Sequence, residues 1–246
     1  MVSIIAETDE VLVLNKPAGL IVHSDGRTEE PSLADWIVEH YPALADVGEP
    51  WLSPQGERVL LPGIAHRLDR TTSGVMLIAK TPEMYAYLKQ EFKERRVEKV
   101  YRAFVHGRME QEEGRIVAEI VRSSEPPRRW YARQCDEGDK RAAITDWLLI
   151  KNLDSTNGHS NVLQNVAMTA EAAYIEVRPK TGRTHQIRVH FASVAHPLVA
   201  DHLYSGDRPP ILGFTRPALH AYSVSLHLPN GDAATFTAPL PSDWPL

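Results

Sequence analysis

The stretch HRLDRTTSGVMLIAKTPEMYAYLKQEFKERRVEKVYRAFVHG, residues 66–107, combines a turn, a strand, a helix and a second strand in direct succession. VMLIA (75–79) is an unbroken apolar run of strand length. Thr81 and Pro82 then form a typical helix start, a capping hydroxyl followed by proline at the first helical position. KVYRAFVHG (99–107) follows as a strand. This segment predicts a chain in which a capped helix separates two strands.

Strand patterns dominate on both sides of this segment. Upstream, EVLVLNKPAGLIVHSDG (10–26) predicts a strand, a turn and a strand LIVH, and SLADWIVEHY (32–41) predicts a helix that begins at Ser32. The elements predicted downstream are strands at GRIVAEIV (114–121), AAITDWLLI (142–150) and AAYIEVRP (172–179), a helix over 183–195, and a hairpin around Asn230-Gly231 within residues 220–239.

Most of these strands are linked as hairpins, with about three helices placed irregularly among them. That order predicts an α+β fold with a mixed, largely antiparallel β-sheet core flanked by helices and loops. We treat residues 1–246 as a single domain. Two subdomains around one cleft are the alternative arrangement.

The composition is that of an ordinary globular protein. Of the 246 residues, 43% are hydrophobic and 24% are charged, with a formal net charge of -5. Because Cys135 is the one cysteine, a disulfide framework and a multi-cysteine zinc or iron–sulfur site are excluded. The sequence has no apolar run of about 18 residues and no signal-peptide pattern in MVSIIAETDE. We therefore expect a soluble, cytoplasmic protein without a membrane partner.

Charge is distributed unevenly along the chain. Residues 1–65 have three basic and eleven acidic side chains, a net charge of -8, which leaves +3 on the remainder. RSSEPPRRWYARQCDEGDKR (122–141) holds six basic side chains, and RPKTGRTHQIRVH (178–190) holds four and no acid. Affinity for a phosphate backbone depends on such local clusters more than on total charge. The net negative charge does not exclude a nucleic acid, although residues 122–141 also fit a solvated loop.

Asp69 is a candidate catalytic carboxylate. It lies in His66-Arg67-Leu68-Asp69-Arg70, directly before a Thr-Thr-Ser-Gly turn. Guanidinium groups on both sides favour the ionised carboxylate that a nucleophile or a charge stabiliser requires. On these residues alone, a surface ion pair at the end of a strand fits the pattern too.

The predicted helix after the Lys-Thr-Gly turn carries further candidates. At helical spacing His185 and Arg188 share one face, while Ile187, Phe191 and Val194 point towards the core. An amphipathic helix with a basic outer side accounts for the same pattern without a functional site.

Tyr101 is a candidate on a strand. Alternation places it on one strand face with Lys99 and Ala103. A tyrosine in such a position is also typical of a protein core.

No motif indicates a metal or a cofactor. Six histidines follow residue 184, but His185 and His190 are five residues apart, and no HExxH is present. Nothing resembles GxGxxG or GxxxxGK[ST], so we expect no nucleotide cofactor. Cys135 has no adjacent base in the sequence, and we interpret it as incidental.

Read together, four of these segments resemble the RluA-type family of pseudouridine synthases. In chain order they are NKPAGLIVH (15–23), PGIAHRLDRTTSG (62–74), KVYRA (99–103) and RPKTGRTHQIRVH (178–190). A lone HRLD would be a weak signal, whereas four motifs in this order are highly specific. The resemblance extends over about residues 4–240.

The resemblance implies isomerisation of selected uridines to pseudouridine in structured RNA, either ribosomal or transfer RNA, without a cofactor. It implies a catalytic domain with a central cleft in which Asp69 is the catalytic carboxylate and Tyr101 packs against the target base. Arg188 is expected to pair with Asp69, and Arg183 is the alternative. Arg67 is expected to enter the RNA stack where the uridine leaves it. The further RNA contacts that we predict are Arg70, Lys99, Arg128, Arg129, Arg183 and His185. The family favours a monomer.

The chain departs from the family pattern in two ways. Ala200-Asp201 stands where the family commonly has Gly-Asp, so the turn at this point can differ from that of the family. The first motif begins within fifteen residues of the N-terminus, so we expect no separate N-terminal RNA-binding domain. Substrate choice is then expected to rest on the catalytic domain and its insertions at 42–63, 122–141 and 151–169.

Two other activities fit the same residues. One is a non-catalytic RNA-binding module that keeps the fold, and the other is a glycosidase that releases free uracil. The joint presence of Asp69, Tyr101 and Arg188 favours the synthase over a module that only binds.

Overall fold

A computed structural model describes residues 1–24, 30–52, 56, 58–124, 129–153 and 171–245. Arg128 and most of the insertion predicted at 151–169 lie outside these residues. In chain order the elements are β1 (Ser3–Glu7), β2 (Val11–Lys16), α1 (Leu33–His40), a 3-10 helix (Pro42–Leu44), β3 (Trp51–Leu52), β4 (Arg58–Val59), β5 (Ser73–Ala79), α2 (Pro82–Lys93), β6 (Glu98–His106), β7 (Glu113–Arg122), β8 (Trp130–Arg133), β9 (Ala142–Leu153), β10 (Ala172–Pro179), α3 (Gln186–Ser193), β11 (Leu219–His227) and β12 (Ala233–Thr237).

The chain divides into two compact units. Unit 1 comprises residues 1–98 and 221–239, with the strand order β1-β2-β5-β11-β12, and unit 2 comprises residues 99–220 and 240–246, with the order β6-β10-β9-β7-β8. Every strand pair of unit 2 is antiparallel. The α+β prediction with a largely antiparallel sheet is confirmed. One catalytic domain around a central cleft stays a prediction.

In unit 1, local sequence signals explain the elements around β5. The Thr81 hydroxyl accepts a hydrogen bond from the Met84 N–H (3.1 Å), so α2 begins at Pro82 as predicted. Met84 and Leu88 of α2 are buried, and all seven residues of β5 are buried as well. The strand and helix predicted within residues 66–107 are therefore confirmed.

The strand predicted at LIVH is wrong. Ile21 makes a single bridge with Ser32, and the carbonyl oxygens of Ile21 and Val22 accept the N–H groups of Leu33 (2.9 Å) and Ala34 (3.0 Å). The first N–H groups of a helix have no partner inside the helix. This segment supplies partners to the start of α1 and does not pair with β2.

In unit 2, α3 covers one face of the sheet. Ile187 and Phe191 of α3 pack in a buried cluster with Ala103 of β6 and with Ile175 and Val177 of β10. The basic insertion at 122–141 contributes a strand of its own, β8, paired with β7. Among the helices of the described ranges, none is long and apolar enough to cross a membrane.

Candidate active site

Asp69 lies in the loop of unit 1 that leads into β5. Its neighbour Leu68 is buried, Thr72 is buried, and the Thr72 N–H donates to the Asp69 carbonyl oxygen (3.1 Å). Asp69 itself is half-buried. The backbone of the loop is thus anchored on both sides of a side chain that stays partly accessible.

The Ser-Gly that ends the motif has a steric reason. Gly74 has φ of 124°, a conformation that residues with a Cβ rarely adopt. A Cβ at this position would also collide with the carbonyl group of Ala221 in β11. Only glycine therefore lets the strand start this close to its neighbour.

The first motif braces the Asp69 loop through backbone groups. Lys16 is fully buried, and its Nζ donates to the carbonyl oxygens of Pro17 (2.8 Å), Leu20 (2.9 Å) and Arg70 (3.3 Å). The Gly19 N–H donates to the same Arg70 carbonyl (2.8 Å), and the Arg70 Nε donates back to the Gly19 carbonyl (3.1 Å). Lys16 is a supporting residue that was not selected from the sequence; its signal was a lysine at the end of an apolar strand, directly before Pro-Ala-Gly.

His66 holds the upstream side of the loop. Its Nε2 accepts a hydrogen bond from the Leu77 N–H of β5 (2.9 Å), and its ring stacks on Phe92 of α2 with 4.2 Å between centroids. The ring therefore takes the place of a backbone acceptor at β5. The histidine of the motif is structural in this respect.

The two arginines that flank Asp69 differ. Arg70 forms an exposed ion pair with Glu30, in addition to its bond to Gly19. Arg67 is exposed, and within the described residues no ion pair or side-chain hydrogen bond holds it. Arg67 is thus the arginine whose charge is available to a ligand.

Tyr101 and Lys99 lie on β6 of unit 2. Tyr101 is paired in register with Val177 of β10 and packs against the buried cluster beneath α3. Arg102, on the other face, forms an ion pair with Glu176 (2.6 Å), which fixes this register. The predicted alternation of β6 is confirmed, with Tyr101 partly buried beside α3.

The helix predicted over 183–195 is shorter at both ends. It spans Gln186–Ser193, and Val194 is exposed after its end, so the inward orientation predicted for Val194 is wrong. The Gln186 Oε1 accepts from the Thr181 hydroxyl (2.7 Å) and the Arg183 N–H (3.0 Å), which holds these residues in a turn. His185 follows with φ of 55°, outside the helical region. His185 is therefore not part of the helix as predicted, although its ring and the Arg188 guanidinium both contact Tyr204.

The basic outer side considered for this helix is also wrong, because its polar groups are buried. The His190 Nδ1 is 2.9 Å from the Thr145 Oγ1 of β9, and the ring is fully buried. Burial lowers the pKa of His190 to about 4, so the ring is neutral at neutral pH. The Gln186 Nε2 also donates to the Thr145 Oγ1 (2.9 Å), which fixes the start of α3 to the same strand.

Arg188 is held by an aspartate that sequence reasoning did not select. The Nε and Nη2 of Arg188 donate to the two carboxylate oxygens of Asp201, each at 2.7 Å, with the side chains 6% and 0% exposed. The guanidinium also lies over the ring of Tyr204, 5.0 Å from its centroid. The pairing of Arg188 with Asp69 stays a prediction. The sequence signal for Asp201 was its place in the Gly-Asp pattern of the family, because the burial of Arg188 is not visible in the sequence.

The turn at Ala200-Asp201 keeps the conformation that glycine favours. Ala200 has φ of 57° and is buried. Alanine adopts this left-handed conformation at a cost of roughly 1–2 kcal/mol. The departure from Gly-Asp therefore places a strained residue beside the partner of Arg188.

Three of the four basic side chains in residues 178–190 find counter-charges elsewhere in unit 2. The partners are Glu176 for Arg178, Asp146 for Lys180 at 3.7 Å, and Asp201 for Arg188. Arg183 is exposed and has no carboxylate partner among the described residues. Within this segment, Arg183 presents the charge that remains for a phosphate.

The arginine-rich arm, residues 129–133, contacts the turn after Asp201. The Arg129 Nη1 donates to the Leu203 carbonyl oxygen (3.1 Å), and the Trp130 N–H donates to the Tyr204 hydroxyl (3.4 Å). Arg129 is exposed and has no carboxylate partner in the described part of the chain, whereas Arg133 is paired with Glu119.

Metal and thiol chemistry find no support in this region. In the ranges that the structure describes, no group of three or more His, Cys, Asp or Glu side chains is arranged to hold a metal ion. Burial first, and then the charges of Asp139 and Glu119, raise the pKa of the Cys135 thiol, which disfavours its reactive form.

Comparison with known proteins identifies the family. Residues 10–193 match the RNA pseudouridylate synthase family. An uncharacterized RNA pseudouridine synthase of Synechocystis sp. is 31% identical over 98% of this chain and 66% of its own length. The ribosomal large subunit pseudouridine synthase D of Neisseria meningitidis is 36% identical over 98% of this chain and 58% of its own length.

This chain thus spans about two thirds or less of these two relatives. The solved structure of human RNA pseudouridylate synthase domain containing 1 shares the fold, with a TM-score of 0.68 and 24% identity over 98% of this chain and 84% of that one. On the strength of the match over residues 10–193, the chain belongs to the RNA pseudouridylate synthase family.

Proposed function

We propose that this chain isomerises uridine to pseudouridine in structured RNA. The observation that carries the proposal is that Asp69, Tyr101 and Arg188 all lie within the residues that match the family, 10–193. The accessible position of Asp69 in a braced loop supports it further.

The reaction breaks the N1–C1′ bond, turns the uracil and joins C5 to C1′. The proton on C5 leaves to solvent, and N1 takes up a proton. A base inside a helix cannot undergo this change, so the uridine has to leave the stack. Asp69 attacks C1′ or C6, or stabilises a cationic sugar. Arg188 pairs with Asp69, and Tyr101 packs against the base and helps to exclude water.

Charges that lack carboxylate partners are the proposed RNA contacts. Arg67, Arg129 and Arg183 are exposed and unpaired with acids among the described residues, which suits them to phosphates or to a place in the RNA stack. Ribosomal RNA is the favoured substrate, because the Neisseria meningitidis relative is named a ribosomal large subunit pseudouridine synthase. Transfer RNA is the second substrate to test.

Release of tritium from RNA that carries 5-tritiated uridine tests the proposal. Asp69→Asn and Asp69→Ala should lose about 10³-fold or more in rate while RNA binding is largely kept, because the carboxylate acts on the bond and not on affinity. Asp9→Asn, at an exposed aspartate of the same unit, is the matched control and should keep wild-type turnover.

Three results would contradict this assignment. Wild-type turnover in the Asp69 variants would remove Asp69 from the mechanism. Free uracil without new pseudouridine would indicate a glycosidase. A wild-type protein that binds ribosomal and transfer RNA but releases no tritium would indicate a binding module.

A further inference from the structure

Tyr204 contacts three of the groups discussed above with one side chain. Its ring lies under the Arg188 guanidinium, 5.0 Å from centroid to Cζ. Its hydroxyl is 2.7 Å from the His185 Nδ1 and accepts the Trp130 N–H at 3.4 Å. Tyr204 is half-buried and follows Asp201 by three residues in the same turn.

The ring and Asp201 restrict Arg188 in two different ways. Asp201 takes one edge of the guanidinium through Nε and Nη2, which fixes the direction of the planar group. The guanidinium carbon lies over the ring face, and such a contact limits the motion of the arginine side chain. Together they leave a buried arginine with one orientation.

The Tyr204 hydroxyl contacts two other parts of unit 2, His185 before α3 and Trp130 in the arm. His185 stands before α3 in a left-handed conformation, with its ring edge-on to Tyr204 at 5.7 Å between centroids. The bond from Trp130 fixes the start of the arm, and the Arg129 bond to the Leu203 carbonyl fixes it again on the same turn. The two elements predicted to contact RNA thus share one oxygen atom as an anchor.

We propose that Tyr204 is a positioning residue with two separable roles: its ring orients Arg188 for catalysis, and its hydroxyl orients His185 and the arm for RNA binding. The inference rests on the proposed function, in which Arg188 acts beside Asp69 and the arm binds RNA. Because the ring and the hydroxyl have different partners, they can be removed one at a time.

Tyr204→Phe and Tyr204→Leu separate the two roles. Tyr204→Phe keeps the ring and loses the anchor, so KM and the Kd for RNA should rise about fivefold while kcat stays within twofold of wild type. Tyr204→Leu loses both, so kcat should fall about tenfold or more in addition to the loss of affinity. The recovery of kcat by phenylalanine is a readout that a merely structural role would not produce.

Tyr87→Phe is the matched control. The Tyr87 hydroxyl donates to the His227 carbonyl oxygen (2.9 Å) in unit 1, so this variant also loses one hydroxyl bond, and kcat and KM should be unchanged. If Tyr204→Leu fails to fold, Tyr204→Met replaces it as the variant without a ring, and Tyr204→Phe decides the role of the hydroxyl in either case. Unchanged affinity in the phenylalanine variant, or a kcat as low as that of a folded leucine variant, overturns it.

The failure of the proposed function gives a different result. A wild-type protein without tritium release rejects the synthase activity, whereas the Kd for RNA still reports on the hydroxyl. An active wild type with an unchanged kcat in Tyr204→Leu rejects the role of the ring.

Discussion

The Asp69 loop of unit 1 and the Arg188 helix of unit 2 hold their proposed catalytic groups by opposite means. The loop is braced through backbone carbonyls, with the Lys16 ammonium and the Gly19 N–H both on the Arg70 carbonyl, while Asp69 stays half-buried. Arg188 is held through its own side chain, in a bidentate pair with Asp201 that is almost fully buried. A group that has to reach a substrate is supported indirectly, whereas a buried charge needs a partner of its own.

Lys16 of unit 1 and Arg188 of unit 2 are both buried cations. Lys16 donates to three carbonyl oxygens, and Arg188 donates to a carboxylate. An ammonium has three donors on a compact charge and suits separate carbonyls, whereas a guanidinium presents a flat fork that matches a carboxylate. The choice of lysine in one unit and arginine in the other therefore follows from what each has to hold.

The largest effect is expected from Asp201→Asn, which keeps the shape of the side chain but leaves Arg188 buried without its counter-charge. Breaking a buried pair in this way costs about 3–5 kcal/mol in the free energy of unfolding. Urea unfolding of the full chain measures it. Asp243→Asn is the control, because Asp243 makes the same bidentate contact with Arg216 but is 41% exposed. The control should lose less than about 1 kcal/mol, and equal losses would mean that burial is not what distinguishes the Arg188 pair.

Lys16→Met tests the support of the Asp69 loop by the hydrogen bonds from Lys16 to backbone carbonyl oxygens. It fills the volume of the side chain but removes the donor from buried carbonyls, which should cost about 3 kcal/mol of unfolding free energy. Activity should fall with it, because the Asp69 loop loses its brace. Lys80→Met is the matched control, since Lys80 binds Glu7 and the Thr8 carbonyl but is 22% exposed. Amide hydrogen exchange should increase in the Asp69 loop and not in α3; faster exchange in both units would argue against a local brace.

A structural feature could be predicted from the sequence where its signal lies within a few neighbouring residues. The cap at Thr81 and the apolar run of β5 are complete within a few residues, so both elements were predictable. The four motifs likewise sufficed for the family, since residues 10–193 match it. The partners of Arg178, Lys180 and Arg188 come from other strands and turns, so residues 178–190 looked uncompensated in sequence although three of their four charges are paired.

The errors at α3 have the same origin. A helical projection of residues 183–195 treats each residue as helical, but Gln186 draws Arg183 and Thr181 into a turn and His185 takes a left-handed conformation. Periodicity contains no information about such side-chain bonds. The burial of Lys16 was hidden for the corresponding reason, because a lysine in sequence is normally read as exposed.

Acid should destabilise unit 2, in which His190 is buried. The pKa of His190 is about 4 in the folded protein, below the ordinary value of 6.5. Between these two pH values the imidazole is protonated in the unfolded chain and neutral in the folded protein. Stability is therefore fully present above pH 6.5 and is lost as the pH falls towards 4, by about 2 kcal/mol between pH 7 and pH 4.5.

Thermal unfolding across this pH range measures the loss, and His190→Gln should reduce the slope. Some slope should remain in that variant, because burial, followed by the charge of Arg208, also lowers the pKa of His106. His227→Gln, at an exposed histidine, should leave the slope unchanged. A variant at His190 with the full wild-type slope would place the acid-sensitive group elsewhere.

The smallest effects are expected on RNA affinity, and they show what each side contributes to binding. Arg67 of unit 1 and Arg183 of unit 2 are exposed and have no acidic partner among the described residues. Arg67→Gln and Arg183→Gln should each weaken RNA binding by about five- to tenfold and lower the slope of log Kd against log salt by about 0.7–0.9, one released counterion each. Arg133→Gln is the control, because Glu119 already neutralises this arginine. Filter binding at several salt concentrations gives all three slopes. If the slope for Arg133→Gln changes as much as the other two, ion pairing within the protein does not decide which arginines contact phosphate. If only Arg183→Gln changes the slope, unit 2 provides the RNA affinity, and Arg67 acts after binding, when the uridine leaves the stack.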